Sequence, residues 1–198
     1  MMALVTRGFG GRRRDPDSKL PPGQTLVRDW PVLSAGATPR ISPADWRFSV
    51  QTETGDAREW TWDEFRDLGL EDVTMDIHCV THWSKLQMPW RGVPLDLVFE
   101  NIDTAYQYVM AHSYGGYTTN VPLNELLGGK AWIAFEADGE PLSAEHGGPA
   151  RLLVPHLYFW KSAKWVRGLV MMPDDEPGFW EERGYHLHGD PWREERYS

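Results

Sequence analysis

Large apolar and polar residues alternate through Trp46-Arg47-Phe48-Ser49-Val50, which is the period of a half-buried strand. A turn at Thr54-Gly55-Asp56 returns this strand as a hairpin toward Glu59-Trp60. Residues 61–68 predict a short helix, with Thr61 as N-cap, Glu64 completing a capping box and Gly69 ending it. Residues 73–80 predict a strand that carries Cys79 near its carboxyl end, with Asp76 and His78 on one face and Ile77 and Cys79 on the other. Trp90-Arg91-Gly92-Val93-Pro94 reads as a loop into a short helix over residues 95–99. Residues 106–110, 131–135, 151–154 and 164–172 are further strands, rich in aromatic and β-branched side chains. One or two helical turns over residues 122–127 close at Gly128-Gly129, and another short helix spans residues 179–183. Many short strands with few short helices predict an α+β fold dominated by mixed sheet.

The chain has 198 residues, enough for one domain with a real core. Residues 1–19, basic and rich in glycine, read as a flexible tail, and residues 20–198 as a single domain that begins at Leu20-Pro21-Pro22-Gly23-Gln24. Arg12-Arg13-Arg14 invites a twin-arginine export reading, but the polar run Asp15 to Lys19 follows where an apolar stretch is needed. No run approaches the roughly 18 apolar residues that span a bilayer; with no apolar export stretch and one cysteine without a disulfide partner, the expected compartment is cytoplasmic. A net charge of −9 argues against a duplex nucleic-acid partner but leaves room for a locally basic pocket. The 11 tryptophans point to a core or pocket built from large rings, several able to donate an indole N–H.

Chemistry concentrates around the single cysteine, in Asp76-Ile77-His78-Cys79-Val80-Thr81-His82-Trp83-Ser84. With no second cysteine, Cys79 is either a core residue or a thiol kept for reaction or ligation. His78, Cys79 and His82 offer zinc or copper donors, but consecutive strand residues point to opposite faces and no second Cys/His pair appears. A histidine-activated nucleophile is another reading, although the usual setting that lowers a thiol pKa is missing. A third reading needs only one protein sulfur, with an organic cofactor supplying the metal's other donors.

The sequence resembles the sulfite-oxidase family of molybdopterin enzymes, and within it a cytosolic bacterial subgroup. The resemblance rests on four stretches in order. They are Cys79-Val80-Thr81-His82-Trp83-Ser84 with Trp90-Arg91-Gly92-Val93-Pro94-Leu95; Gly116-Tyr117-Thr118-Thr119-Asn120-Val121-Pro122-Leu123; His146-Gly147-Gly148-Pro149-Ala150-Arg151 running into Leu152-Leu153-Val154-Pro155; and Lys161-Ser162-Ala163-Lys164-Trp165. The Leu-Pro-Pro-Gly-Gln start and the Trp180-Glu181-Glu182-Arg183-Gly184-Tyr185-His186 stretch resemble the same subgroup.

The resemblance implies a mixed-sheet molybdopterin-binding fold and a molybdenum–molybdopterin cofactor, with Cys79 as the metal's protein ligand. His146, Arg151, Ser162, Ala163 and Lys164 would hold the pterin and its phosphate, with Gly147 and Gly148 bringing backbone N–H groups close to it. Tyr117 and His82 would stand on the substrate side, and Arg91 would contact an anion if its loop folds inward. The implied activity is two-electron oxygen-atom transfer to or from a small sulfur- or nitrogen-containing substrate, with a separate electron-transfer partner. The alternative is a non-catalytic molybdopterin carrier or interaction module that retains the fold. Family members that oxidise sulfite carry an arginine shortly after the metal cysteine, whereas this chain has Trp83 and Ser84, a spelling closer to bacterial members related to methionine-sulfoxide reductase. The family's haem and dimerisation domains have no counterpart here, so the chain is expected to be the cofactor domain alone.

Overall fold

A computed structural model describes residues 19–198 except Asp56. The expected tail lies, apart from Lys19, outside the described residues. The strands are β1 (Thr25–Leu26), β2 (Arg47–Gln51), β3 (Ala57–Thr61), β4 (Glu71–His78), β5 (Trp83–Pro94), β6 (Tyr108–Ser113), β7 (Thr118–Pro122), β8 (Trp132–Ala137), β9 (Glu140–Pro141), β10 (Arg151–Leu153) and β11 (Val166–Met172). The α-helices are α1 (Trp62–Arg66) and α2 (Leu95–Phe99). One sheet runs β3-β2-β11-β6-β7, with β2 and β11 parallel and the other pairs antiparallel. The second is ordered β1-β5-β8-β10, with β4 also on β5 and β9 on β8. Only β1 joins it in parallel, at Trp83 and Ser84. The mixed-sheet α+β architecture is the expected one.

The alternation in β2 buries Phe48 and Val50 and leaves Arg47 and Gln51 exposed. Thr61 caps α1 as its spacing predicts: Glu64 N–H donates to Thr61 Oγ1 at 3.4 Å, and Thr61 N–H donates to Glu64 Oε2 at 2.8 Å. Both helical runs predicted near residues 122–127 and 179–183 are single 3-10 turns, Leu123–Glu125 and Glu181–Arg183. No helix among the described residues is long and apolar enough to cross a membrane.

The two sheets face each other across a core where Trp46 meets Phe65 at 5.4 Å and Phe48 meets Phe65 at 4.9 Å between ring centroids. Trp46 also donates its indole N–H to the Val166 carbonyl at 3.0 Å, which joins that core to the start of β11. The second sheet is buried on its outer face as well. Val93, Ile133 and Leu152 point into the intersheet core, while Trp90, Trp132, Ala134 and Leu153 enter a second cluster with Cys79, Trp83, Tyr158 and Trp160. A strand covered on both sides loses the polar half of its alternation.

Ladder pairing to β4 and β8 corrects the reading of residues 90–94 as a loop. They complete the 12-residue β5, and the breaker that suggested a loop, Gly92, sits at a register shift against β8. A Cβ at Gly92 would stand 2.4 Å from the Ile133 carbonyl oxygen and 2.8 Å from Ala134 Cα, so the crossing requires glycine. Both obstructing atoms are backbone. Gly92→Ala is therefore expected to lower unfolding free energy by at least about 2 kcal/mol in urea titrations.

Candidate functional site

Cys79 lies one residue beyond β4, at the head of the hairpin turn into β5. Its N–H donates to the Trp83 carbonyl at 2.8 Å, and the His82 N–H donates back to the Cys79 carbonyl at 3.1 Å. His82 closes the turn at φ 71°, the left-handed conformation that a tight hairpin followed by a bulge demands. The His82 ring nitrogen Nδ1 lies 3.0 Å from the Gly23 carbonyl oxygen, which anchors a residue at an angle uncommon outside glycine. Gln24 reaches over from the N-terminal segment and donates to the Cys79 carbonyl at 3.0 Å.

The sulfur is buried, with 7% of Cys79 exposed, and lies 3.2 Å from Thr81 Oγ1. Burial pushes the thiol up, against hydrogen bonding from Thr81 and the charge of Arg196. This is the reverse of an activated nucleophile. The zinc arrangement also fails geometrically. The His78 ring is buried against Ser84 Oγ at 2.8 Å, and His82 turns toward Gly23. Among the described residues no group of three His, Cys, Asp or Glu side chains could hold a metal ion. The protein offers one soft donor here.

That donor borders a cavity of about 410 Å³. Thr81 and Trp83 continue its wall beside Cys79, and Trp180 and Tyr185 flank them from the C-terminal segment. Residues 30–37 supply another side without regular secondary structure. The basic wall is His146, Arg151 and Lys164. Arg151 is 1% exposed, donates to the carbonyls of His146 and Ser162 at 2.8 Å each, and lies 4.1 Å from the centroid of the Phe159 ring. Burial lowers its pKa to about 9, so it stays charged at neutral pH. Lys164 donates to the carbonyls of Leu33 and Glu145 at 2.7 and 2.6 Å; burial and the nearby Arg151 charge lower its pKa to about 8. His146 stacks on Trp30 with centroids 3.9 Å apart, and burial together with the Arg151 and Lys164 charges brings it down to about 4, a neutral ring at pH 7.

Ser162 and Ala163 also line the cavity, with Ser162 Oγ accepting from the Val154 N–H at 2.9 Å. The Gly147 and Gly148 N–H groups are committed elsewhere: they donate to the carbonyls of Ala144 and Ser143 at 3.2 and 2.9 Å, so the expected backbone approach to a ligand is not made by these groups. Gly147 instead adopts φ 107° where a side chain would press on Arg151 and Lys164 Cβ, each at 3.1 Å.

Two of the expected substrate-side residues are placed differently from each other. Tyr117 lines the cavity, but its hydroxyl already donates to the Trp160 carbonyl at 2.7 Å, and burial holds it well above the ordinary tyrosine range. His82 is not among the cavity-lining residues. Arg91 is a correction: β5 carries it outward to Asp72 at 3.1 Å and Glu136 at 3.9 Å, away from the cavity. The residue-by-residue reading passed over Tyr185, although it lies in the Trp180–Tyr185 stretch that carries the resemblance. Tyr185 stacks on Trp180 at 5.0 Å, and burial, with Tyr197 and Cys79 nearby, raises its hydroxyl. Behind these rings Lys161 and Glu181 form an ion pair at 2.6 Å with both side chains 0% exposed, and Thr119 and Trp160 each donate to the same carboxylate oxygen at 2.8 Å.

Two buried donors facing this region have no hydrogen-bond partner among the described residues: Arg151 Nε and the Trp83 indole N–H. An acceptor-rich anion satisfies such groups. A cavity that pairs one soft sulfur with two cations and spare donors fits a phosphate-bearing, metal-binding ring system.

The family model described as the oxidoreductase molybdopterin binding domain matches residues 35–180. The uncharacterized oxidoreductase YuiH of Bacillus subtilis is 37% identical over 190 residues, covering 94% of this chain and 96% of that protein. A putative protein-methionine-sulfoxide reductase subunit, YedZ1, of Azospira oryzae is 27% identical over 184 residues, covering 88% of this chain and 69% of that protein. Among solved structures, the sulfane dehydrogenase SoxCD from Paracoccus pantotrophus shares the fold at a TM-score of 0.61 and 21% identity, over 69% of this chain and 40% of that one.

The Lys164 pKa of about 8 sets a pH response. The ammonium is present below that value and lost above it. Sulfate keeps its charge across this window, so its affinity is expected to fall about tenfold between pH 7 and pH 9, when calorimetry is used to follow binding. Lys164→Gln should weaken binding at pH 7 and remove most of the step, leaving the smaller fall that Arg151, at about 9, contributes.

Proposed function

Because this chain belongs to the oxidoreductase molybdopterin-binding domain family, and so is a molybdopterin-dependent oxidoreductase, we propose that Cys79 is the protein ligand to molybdenum and that residues 20–198 act as one cofactor domain. The observation that carries this reading is Cys79 bordering a cavity whose other wall is the His146–Arg151–Lys164 cluster. Arg151 and Lys164 bind the cofactor's phosphate as fixed cations, His146 lies as a neutral ring beside the pterin, and Ser162 and Ala163 shape the wall between them. When bound, molybdenum–molybdopterin supplies two-electron redox chemistry coupled to oxygen-atom transfer.

The residues around the sulfur choose the substrate. Ser84, one of the two positions where sulfite-oxidising members carry arginine, is wholly buried against His78, and Trp83 adds an aromatic surface. With Trp180 and Tyr185 also lining it, the substrate region is aromatic and, among the described residues, without a spare cation of its own. Such a wall favours a neutral molecule with one polar oxygen over a doubly charged anion. A small sulfoxide or N-oxide fits, and the methionine-sulfoxide reductase relationship supports the sulfoxide. Its reduction balances as sulfoxide plus two electrons and two protons giving sulfide and water. A separate one-electron carrier delivers the electrons in sequence.

Within this scheme the chain's own residues orient and exclude. Tyr185, protonated at neutral pH, donates to the substrate oxygen, a role closed to Tyr117 while its proton is on the Trp160 carbonyl. Trp83, Trp180 and residues 30–37 keep bulk water away. The single free thiol and absence of any disulfide fit a reducing, cytoplasmic setting.

Elemental analysis after anaerobic purification should find stoichiometric molybdenum, and Cys79→Ser should lose it with little change in thermal unfolding. Retention of metal by that variant would sink the assignment. Molybdenum without turnover of any sulfoxide or N-oxide would instead favour a carrier. Tyr185→Phe is expected to keep molybdenum while kcat falls about ten- to a hundredfold. Tyr117→Phe should mainly cost about 1 kcal/mol of stability through its lost hydrogen bond.

A further inference from the structure

The turn that presents the sulfur is held from behind by a residue outside the cavity wall. Arg196 is 7% exposed and directs Nη1 to the Val80 carbonyl at 2.6 Å and Nη2 to the Pro22 carbonyl at 3.3 Å. Its guanidinium lies 4.8 Å from the centroid of the Tyr158 ring, inside the cluster that also contains Cys79. The segment around it is stitched to the site's other tyrosine: the His186 N–H donates to the Arg196 carbonyl at 3.2 Å, and Tyr197 bridges to Tyr185. Val80 directly follows the thiol residue, and the preceding carbonyl, that of Cys79, accepts from Gln24. Two successive peptide carbonyls of a four-residue turn are therefore fixed by side chains that neither strand of the hairpin supplies.

We propose that Arg196 is a positioning residue for the metal's sulfur ligand: its guanidinium, braced between the Val80 and Pro22 carbonyls, sets the orientation of the turn and so the direction of the Cys79 Cβ–S bond. The inference rests on Cys79 being the protein ligand to molybdenum. A buried cation donating to a carbonyl forms a stronger hydrogen bond than a neutral donor, and a turn has no ladder of its own to compensate for its loss. The planar fork matters because it spans two carbonyls from different segments, a task a lysine ammonium performs with looser geometry. The bracing also ties the Cys79 turn to the segment that carries Tyr185, so ligand and substrate-side hydroxyl share one support.

The test compares the wild-type holoprotein with Arg196→Gln and Arg196→Lys. Hydrogen exchange at the Cys79 and His82 amides, both bonded within the turn, reports the clamp without reference to activity. The electron paramagnetic resonance spectrum of the one-electron-reduced metal reports the direction of its sulfur ligand. Arg196→Gln is expected to speed exchange at those two amides at least about tenfold while strand β6 stays protected, and to shift the metal spectrum. Arg196→Lys should recover part of both. An unchanged spectrum with unchanged turn exchange overturns the proposal, as does exchange that rises only in step with β6. If Arg196→Gln does not fold, Arg196→Lys carries the same readings, with a smaller change in the same direction expected and no change overturning the inference. Wild-type protein lacking molybdenum would instead defeat the assignment of Cys79, which the exchange measurement does not depend on.

Discussion

One side chain has to be placed in space by a structure that gives it almost no room to adjust. The Cys79 sulfur stands on a four-residue turn between two long strands, and everything else in the site is arranged relative to it. A turn of that length is soft by itself. It becomes stiff because β5 is paired on both edges and buries Trp83, Met88 and Trp90 in the cluster around Cys79, and because the turn's two leading carbonyls are held by Gln24 and Arg196. Close packing makes such a frame resist small displacements, which is what the metal ligand proposed for Cys79 requires.

The basic wall obeys a different logic. Arg151 is almost fully buried without a carboxylate partner among the described residues, a costly placement for a charge. The protein offsets part of that cost with the carbonyls of His146 and Ser162 and with the Phe159 ring face. What remains uncompensated is the affinity available to an anion. Burial, joined by the charges of Arg151 and Lys164, keeps His146 neutral, since a third cation there would be both desolvated and repelled.

Much of this was readable in the chain before its fold was known, and the boundary is physical. The β2 alternation and the Thr61–Glu64 box depend on neighbours within a few residues, so local pattern suffices. That Cys79, His146, Arg151 and Lys164 line one cavity was legible because the motifs carrying them are short and ordered. The β5 segment at residues 90–94 was not, because Gly92 and Pro94 signal a break while the true reason for Gly92 is a strand contributed forty residues later. Arg91 pointed inward only on the assumption of that loop. Tyr117 carried the right residue type, yet the orientation of a hydroxyl depends on which carbonyl the fold brings beside it. Tyr185 and Arg196 gain their places from the convergence of distant segments, which no window of sequence displays.

The Lys161–Glu181 pair has a consequence for how this protein can change over time. Two opposite charges sealed from water can be lost together with little penalty, whereas either one alone leaves its former mate stranded. Drift at one position is thus blocked until the other has already moved, and neither can move first. Since Trp160 and Thr119 are bonded to the same carboxylate, the lock extends to them. The back of the cavity should therefore evolve as a single inherited block.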